Sequence, residues 1–220
     1  MLGGLVLLTK KDTVNVADQD ASKAVSETAT SIGDQVYGDK SSSVVLIEYG
    51  DFQCPGCAAA YPQLKTIKET YKDKIAFIFR NFPLTTIHPN ALAASTAAEA
   101  AGLQGKFWEM HDALYENQTS WSDIDAAKRT DSFTGFAQDI GLDIEKFKTD
   151  LSDPKIAAKI SRDRAFANKL KVSGTPSLYI GSEKLTDAET TDLIQGKGEK
   201  LMVKLDAKLK AAGIEAPKRP

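Results

Sequence analysis

The stretch EYGDFQCPGC, residues 48–57, ends in the only two cysteines of the 220-residue chain, Cys54 and Cys57. Just before them, residues 43–50 read SVVLIEYG, the β-branched and apolar pattern of a strand buried on both faces. Apolar side chains at helical spacing follow the cysteines, and KIAFIFRNF at residues 74–82 predicts a second buried strand. The sequence therefore predicts a βαβ unit with a CxxC motif at the start of its helix.

Beyond this unit the pattern changes. Pro62 is expected to interrupt and kink the first helix, and residues 83–170 look helical almost throughout. Residues 177–184 then predict a β-hairpin, and Thr186 and Glu189 are placed as the capping box of a later helix. The helical block is long enough to form a subdomain of its own.

Composition is that of a packed globular protein. Apolar residues make up 42% of the chain and charged residues 26%, which is ordinary usage for a folded domain. The 28 basic and 30 acidic side chains give a net charge of −2, and they form no basic stripe that could follow a phosphate backbone. We therefore expect no nucleic-acid partner.

The N-terminus reads MLGGLVLLTKK, residues 1–11, which is apolar and then basic. It is too short for a membrane-spanning helix and lacks the basic region that precedes the apolar part of a signal peptide. We expect it to be the end of a membrane anchor or signal; the alternative is an apolar first helix or a frayed terminus. Residues 9–42 are polar and predict a tether with one short strand near residues 35–37.

A CxxC pair is compatible with three kinds of site. Zinc would need two more ligands, yet the chain has no other cysteine, and its two histidines, His88 and His111, are not closely spaced. We therefore expect no metal site; only carboxylate side chains could still supply the missing ligands. A purely structural disulfide would close so small a loop that it would stabilise the fold little. The third kind of site is redox catalysis.

Local physics favours redox catalysis. A strand that delivers Cys54 to the first turn of a helix places its sulfur among unpaired backbone N–H groups at the positive end of the helix dipole. The first thiol of such motifs has a pKa of ~3.5–7.5 instead of about 8.5. Pro55 suits the first helical position because it has no N–H to lose. Cys57 would lie one turn deeper on the same face, so that one sulfur meets substrates and the other resolves the mixed disulfide.

Two other positions have alternatives that the residues alone leave open. Glu48, in an otherwise apolar strand, either points outward at a sheet edge or is a buried carboxyl that relays protons to and from Cys57. The Thr175-Pro176 peptide bond opens a later strand and is either an ordinary trans bond or a cis bond beside the cysteines.

Together these features resemble the DsbA-like thiol-disulfide oxidoreductases of the thioredoxin superfamily. The resemblance covers residues 33–213 and rests on EYGDFQCPGC, on HPNALAASTAAEAAGLQGKFWEMHDALYENQ and on VSGTPSLYIG. It implies an α/β protein with a thioredoxin fold and an inserted α-helical domain. The implied parts are an N-terminal anchor remnant and tether at 1–33, a thioredoxin-like domain at 34–82 and 172–213, an inserted helical domain at 83–171 and a C-terminal tail at 214–220.

By this resemblance, Cys54 matches the exposed nucleophile, Cys57 the resolving thiol and Glu48 the buried acid beneath them. The two cysteines would form the redox-active disulfide. Pro176 matches the cis-proline beside the cysteines, and Thr175 would present backbone groups to an extended substrate chain.

Two positions depart from the best-known strong oxidants of this family. Between Pro55 and Cys57 those proteins carry a histidine that helps to hold the thiolate, whereas this chain has Gly56, which predicts a weaker oxidant. Thr175 replaces an aliphatic residue, and its hydroxyl could donate a hydrogen bond to a thiolate. The two changes would partly cancel.

Other ring side chains have simpler expected roles. His88 precedes a proline and is expected in a loop or at the start of the insert. Phe52 and Tyr61 would either extend an apolar substrate groove or pack in the core. The rings expected in the core or at an interface of the insert are those of Phe107, Trp108 and His111.

The expected function is a dithiol oxidase without a cofactor, located in the periplasm or on the outer face of the cytoplasmic membrane and tethered there. Its expected partners are unfolded or reduced secreted proteins and a quinone-linked membrane oxidoreductase, DsbB-like or VKOR-like, that restores the disulfide. One alternative is a disulfide reductase or isomerase; a reduction potential of ~−120 mV indicates an oxidant and ~−270 mV a reductant. Another is a chaperone or binding module with incidental cysteines.

Overall fold

The computed structural model describes residues 20–28 and 31–219. A five-stranded sheet is built from β1 Gln35–Gly38, β2 Val45–Gly50, β3 Ala76–Asn81, β4 Ser177–Ile180 and β5 Glu183–Lys184. The strands lie in the order β1-β3-β2-β4-β5, with β2 and β3 parallel and the other neighbours antiparallel. The central strand, β2, is therefore paired on both edges.

Within the described residues, the helices divide into three groups: one between β2 and β3, six between β3 and β4, and two after β5. They are α1 Pro55–Tyr71, α2 Ala91–Gly102, α3 Phe107–Glu116, α4 Gln118–Trp121, α5 Ala126–Asp139, α6 Ile144–Asp150, α7 Pro154–Lys169, α8 Asp187–Ile194 and α9 Glu199–Ala211. A βαβ half and a ββα half with a helical block between them make the predicted thioredoxin fold with a helical insertion.

The side chains of β2 alternate between two buried layers. Leu46 packs with α1, α8 and α9, whereas Ile47 and Tyr49 pack with Phe166 of α7 on the opposite face. Glu48 is two residues after Leu46 and shares its face. The alternation therefore directs this carboxyl toward α1, the helix that begins at the cysteine pair.

Helix α1 is one continuous element although Pro62 lies inside it. The predicted interruption is therefore wrong. Pro62 is on the exposed side of the helix, while Leu64 and Ile67 form its buried stripe, so the missing backbone donor does not disturb the core contacts.

Residues 20–28 and 31–33, expected to be part of a tether, instead lie against the folded body. One reason is Arg80, a fully buried residue of β3 that needs hydrogen-bond acceptors. Its guanidinium donates to the backbone oxygens of Ala21 at 2.6 Å and Lys23 at 2.8 Å, and to Asp34 Oδ2 at 2.7 Å.

The predicted anchor falls on residues outside the described part of the chain. Within residues 20–28 and 31–219, no helix combines the length and apolar character that a membrane span requires. Three smaller predictions are confirmed: the short strand near residues 35–37, the hairpin of β4 and β5, and the capping box of Thr186 and Glu189.

Candidate active site

The cysteine pair lies at the start of α1, where the helix meets the helical block. Cys54 is the N-cap of α1 with an extended backbone, Pro55 follows at the first helical position, and Cys57 lies within the first turn. Both thiols are free. Cys57 is fully buried, and Cys54 keeps only 8% of its surface exposed. The predicted exposed nucleophile is thus the more accessible sulfur of the pair, although most of it is covered.

A residue 121 positions later in the sequence, Thr175, covers the Cys54 sulfur. The Cys54 thiol donates to the backbone oxygen of Thr175 at 3.4 Å, and the Thr175-Pro176 peptide bond is cis. A Cβ added to Gly56 would lie 3.4 Å from Pro176 Cδ and 3.7 Å from Cys54 Sγ. Position 56 therefore faces both the first sulfur and the proline.

The surroundings of Cys54 favour its thiolate. The pKa of Cys54 is lowered to about 5, and the largest cause is a hydrogen bond from the Cys57 thiol. Hydrogen bonds from Thr175 and from the backbone amides of Cys57 and Gly56 lower it further, whereas burial opposes the shift. The hydroxyl of Thr175 is buried and has no partner among the described residues in this dithiol form. It is available to donate once Cys54 is a thiolate.

The second sulfur has the opposite tendency. Burial raises the pKa of Cys57 well above its ordinary value, and hydrogen bonding to Cys54 and the charge of Glu48 raise it further. The backbone amide of Asp51 opposes these effects by donating to the Cys57 sulfur. At neutral pH the pair therefore holds one thiolate and one thiol.

Glu48 is buried, with 2% of its surface exposed, so the outward-pointing alternative is excluded. Its Oε1 has no hydrogen-bond partner in the described part of the chain. Burial raises its pKa to about 8, with a further contribution from the charge of Cys54 and an opposing one from Lys68. The carboxyl is therefore mostly protonated at pH 7 and can give up a proton just above that pH.

Asp51 was not singled out from the sequence, but it holds the loop that carries Cys54. Its carboxylate accepts from the backbone N–H groups of Gln53 and Leu84, both at 2.8 Å, and from His88 Nδ1 at 2.7 Å. Its backbone oxygen accepts from the Cys54 amide at 3.0 Å. The available sequence signal was an aspartate in a turn just before a helix, which is a common way to fix such a loop.

Lys68 is a second residue without a predicted role. It is 3% exposed, with its ammonium 4.7 Å from the Tyr37 ring centre, 4.8 Å from that of Trp108 and 3.2 Å from Asp112 Oδ1. The sequence signal for its burial was its spacing: Lys68 follows Leu64 by four residues and so lies on the buried stripe of α1.

The remaining ring side chains are placed as follows. His88 lies in the predicted loop, and His111 and Phe107 are buried in the insert. Phe52 and Tyr61 are buried in the core, so the substrate-groove alternative is wrong for both. Within the described ranges, no three His, Cys, Asp or Glu side chains are grouped so that they could hold a metal ion.

Comparison with known proteins agrees with this geometry. Residues 30–196 match the family described as Thioredoxin (Thioredoxin_4). The thiol-disulfide exchange protein alpha-DsbA2 from Wolbachia pipientis superposes with a TM-score of 0.67 and 26% identity, over 80% of this chain and 87% of that one. Oxidised BdbD from Bacillus subtilis superposes with a TM-score of 0.65 over 86% of this chain and 99% of that one; at 20% identity it supports the fold alone.

Curated relatives include much longer proteins. The Na(+)/H(+) antiporter NhaA 1 of Salinispora arenicola is 37% identical over 151 residues, which are 69% of this chain and 22% of the antiporter. NhaA 1 of Mycolicibacterium vanbaalenii is 35% identical over 67% of this chain and 23% of its own length. The chain thus spans less than a quarter of the length of these two relatives. By its sequence match and its structural similarity, the chain belongs to the thioredoxin family and, within it, to the DsbA-like thiol-disulfide oxidoreductases.

Proposed function

We propose that this protein is an extracytoplasmic dithiol oxidase that transfers the Cys54–Cys57 disulfide to pairs of thiols in secreted or surface proteins. The observation that carries the proposal is the opposite character of the two thiols: the pKa of Cys54 is lowered to about 5, and that of Cys57 is raised. Stabilising the Cys54 thiolate stabilises the reduced protein, which makes its disulfide more oxidising.

In the proposed cycle, a substrate thiolate attacks Cys54 Sγ of the disulfide. The bond between Cys54 and Cys57 breaks, a bond between substrate and Cys54 forms, and the electron pair goes to Cys57. Glu48, whose pKa is raised to about 8, supplies the proton that Cys57 takes up. Because its pKa is close to neutral pH, the Glu48 carboxyl can give up this proton and later take up another.

The second step releases the product. The other substrate thiolate attacks the substrate sulfur of the mixed disulfide, and Cys54 leaves as a stabilised thiolate. In total the substrate loses two electrons and two protons. The enzyme gains the two electrons and one proton, on Cys57, and the other proton goes to solvent.

Thr175 and Pro176 are the proposed substrate-binding residues, with Pro55 and Gly56 tuning the site beside them. The backbone of Thr175 already lies over the Cys54 sulfur, which supports a short β-type pairing with an extended substrate chain. Unfolded or reduced secreted proteins supply such chains. A quinone-linked membrane oxidoreductase, DsbB-like or VKOR-like, is the proposed source of new disulfides, and an N-terminal anchor the proposed link to the membrane.

The alternative is a reductase or isomerase, and one observation favours it: Gly56 provides no cationic side chain beside Cys54. The reduction potential separates the two. Equilibration of the purified protein with glutathione buffers should give a value nearer ~−120 mV than ~−270 mV. In parallel, the oxidised protein should restore the disulfides of a reduced, unfolded secreted protein, whereas the C54A variant should not. A potential near ~−270 mV would overturn the oxidase assignment, and undiminished activity of C54A would indicate a chaperone or binding module.

A further inference from the structure

A small cavity lies between β2, β3, α1 and α3, beneath the cysteine pair. Its volume is about 10 Å³, the lower limit for holding one water molecule. Its polar lining comes from Glu48, Tyr61, Lys65, Lys68, His111 and Tyr115. The cavity thus joins the carboxyl next to Cys57 to side chains of the helical insert.

Two buried polar atoms of this lining lack a hydrogen-bond partner within the described residues: Glu48 Oε1 and His111 Nε2. Burying such atoms without a partner is costly, and buried polar groups in native proteins are normally satisfied by protein or ordered water. A single water between the two groups would satisfy both.

The other nitrogen of His111 determines what its Nε2 can do. Nδ1 is 2.9 Å from Asp112 Oδ1, and since a carboxylate accepts, Nδ1 carries the proton. Nε2 is then an acceptor. Burial lowers the pKa of His111 to about 4, so the ring is neutral at pH 7.

We propose that this cavity holds one ordered water that links Glu48 to His111, and that His111 is the positioning residue through which Glu48 exchanges its proton with solvent. The proposal rests on the redox function above and extends it. When Cys57 must become a thiolate, Glu48 first passes its own proton through the water to Nε2, while Nδ1 releases its proton toward Asp112. The Glu48 carboxylate then takes the proton of Cys57.

The far end of this route reaches the surface. The Asp112 side chain is 22% exposed and pairs at 3.4 Å with Lys65, whose side chain is 41% exposed. Asp112 also pairs with Lys68, which lines the cavity from α1. A proton that leaves Nδ1 therefore arrives beside solvent.

The other titratable groups around the cavity do not substitute for His111. Hydrogen bonding to Glu116 raises the pKa of Lys65, and burial raises the pKa values of Tyr61 and Tyr115. These three groups keep their protons at neutral pH. The charges that act on Glu48 are the Cys54 thiolate, which raises its pKa, and Lys68, which lowers it.

The test measures the reaction rates of the two sulfurs separately, because they react one after the other. Reduced protein is mixed with 5,5′-dithiobis(2-nitrobenzoate) in a stopped-flow instrument: attack by Cys54 releases one coloured thiolate, and attack by Cys57 on the resulting mixed disulfide releases a second. The H111F variant should keep the first rate within about twofold and slow the second about tenfold at pH 7, a modest share of what proton transfer contributes to rates. The difference should shrink near pH 9, above the pKa of about 8 of Glu48, because most of the carboxyl has then already lost its proton and can take that of Cys57.

Two further variants make the result specific. H111Q can still hydrogen-bond to a water but cannot pass a proton between two ring nitrogens, so its second release should be slow as well. F107L is the matched control, because Phe107 is buried against the His111 ring but does not line the cavity; both of its rates should match the parent protein. H111Q decides the question if H111F does not fold.

A second release in H111Q as fast as in F107L, with the same pH profile, would overturn the proton route. Failure of the redox function gives a different result: the first release would then be no faster than that of a cysteine in the unfolded chain. A crystal structure of the reduced protein with no water between Glu48 and His111 would also overturn the proposal.

Discussion

The Cys54 thiol donates a hydrogen bond to the backbone oxygen of Thr175, which lies 121 positions later in the chain, at a distance of 3.4 Å. The side chain of Thr175 carries a buried hydroxyl that has no hydrogen-bond partner among the described residues. Thr175 therefore offers the first sulfur an acceptor while it is a thiol and a donor once it is a thiolate.

Replacing that hydroxyl should weaken the thiolate. In T175V the carbonyl contact remains but the donor is lost, so the pKa of Cys54 should rise by roughly one unit, the value of one hydrogen bond to a charged group. Ultraviolet absorbance of the thiolate, followed against pH, measures the shift. T175S keeps a hydroxyl and should titrate like the parent protein; equal titrations for T175V and T175S would contradict the proposed role.

Glu48 should make the stability of the reduced protein depend on pH. Burial raises its pKa from 4.5 to about 8, so between these values the native state keeps a proton that the unfolded chain releases. Stability should therefore fall as pH rises through this window. E48Q removes this effect, and relative to the parent protein it should gain on the order of 4 kcal/mol between pH 4 and pH 8.

Urea unfolding of both dithiol proteins at several pH values measures this gain. The quantity to compare is the change with pH, because a buried amide adds an offset that is the same at every pH. Parallel stability curves for E48Q and the parent protein would show that Glu48 is ionised in the native state.

Position 56 should control the oxidising strength. A side chain there begins 3.7 Å from Cys54 Sγ, so the imidazolium of G56H can stabilise the thiolate. The reduction potential should become less negative by roughly 30 mV, a tenfold change in the equilibrium with glutathione. G56A meets the same 3.4 Å contact with Pro176 without adding charge. If G56A and G56H shift the potential equally, packing and not charge is responsible.

Arg80 should anchor the segment before β1. Removing its charge in R80M leaves the Asp34 carboxylate buried and two backbone oxygens without their donor, and should cost ~3–5 kcal/mol of unfolding free energy. Limited proteolysis should then cut within residues 20–28. R164M changes an exposed arginine of α7 and should stay within about 0.5 kcal/mol of the parent protein. Resistance of residues 20–28 in R80M would show that the hydrogen bonds between Val25 and Asp34, together with apolar contacts, are enough to hold them.

The sequence predicts best what is decided locally. The apolar run of β2, Pro55 at the first helical position of α1 and the Thr186–Glu189 capping box each depend on neighbours within a few positions, and the structure contains all three. The helical block between β3 and β4 is likewise visible from its periodicity and length.

Long-range partners are harder to predict. Alternation places Glu48 on the same face as Leu46, but whether that face is buried depends on how α1 packs over it. The partner of Lys68 is Asp112 from α3, and the acceptors of Arg80 include backbone oxygens, which carry no signature in a sequence. Even the tolerated proline at position 62 depends on which side of α1 faces solvent.

The pairing of β2 with both β3 and β4 has a consequence for synthesis. β2, α1 and β3 are complete in a nascent chain long before β4 exists, and N-terminal parts generally fold first. During that interval both cysteines are present, but Thr175 and the antiparallel neighbour of Glu48, Leu178, are not. The newly made dithiol therefore acquires its full chemistry only when the hairpin of β4 and β5 docks, so the reactivity of the enzyme is timed to the synthesis of β4.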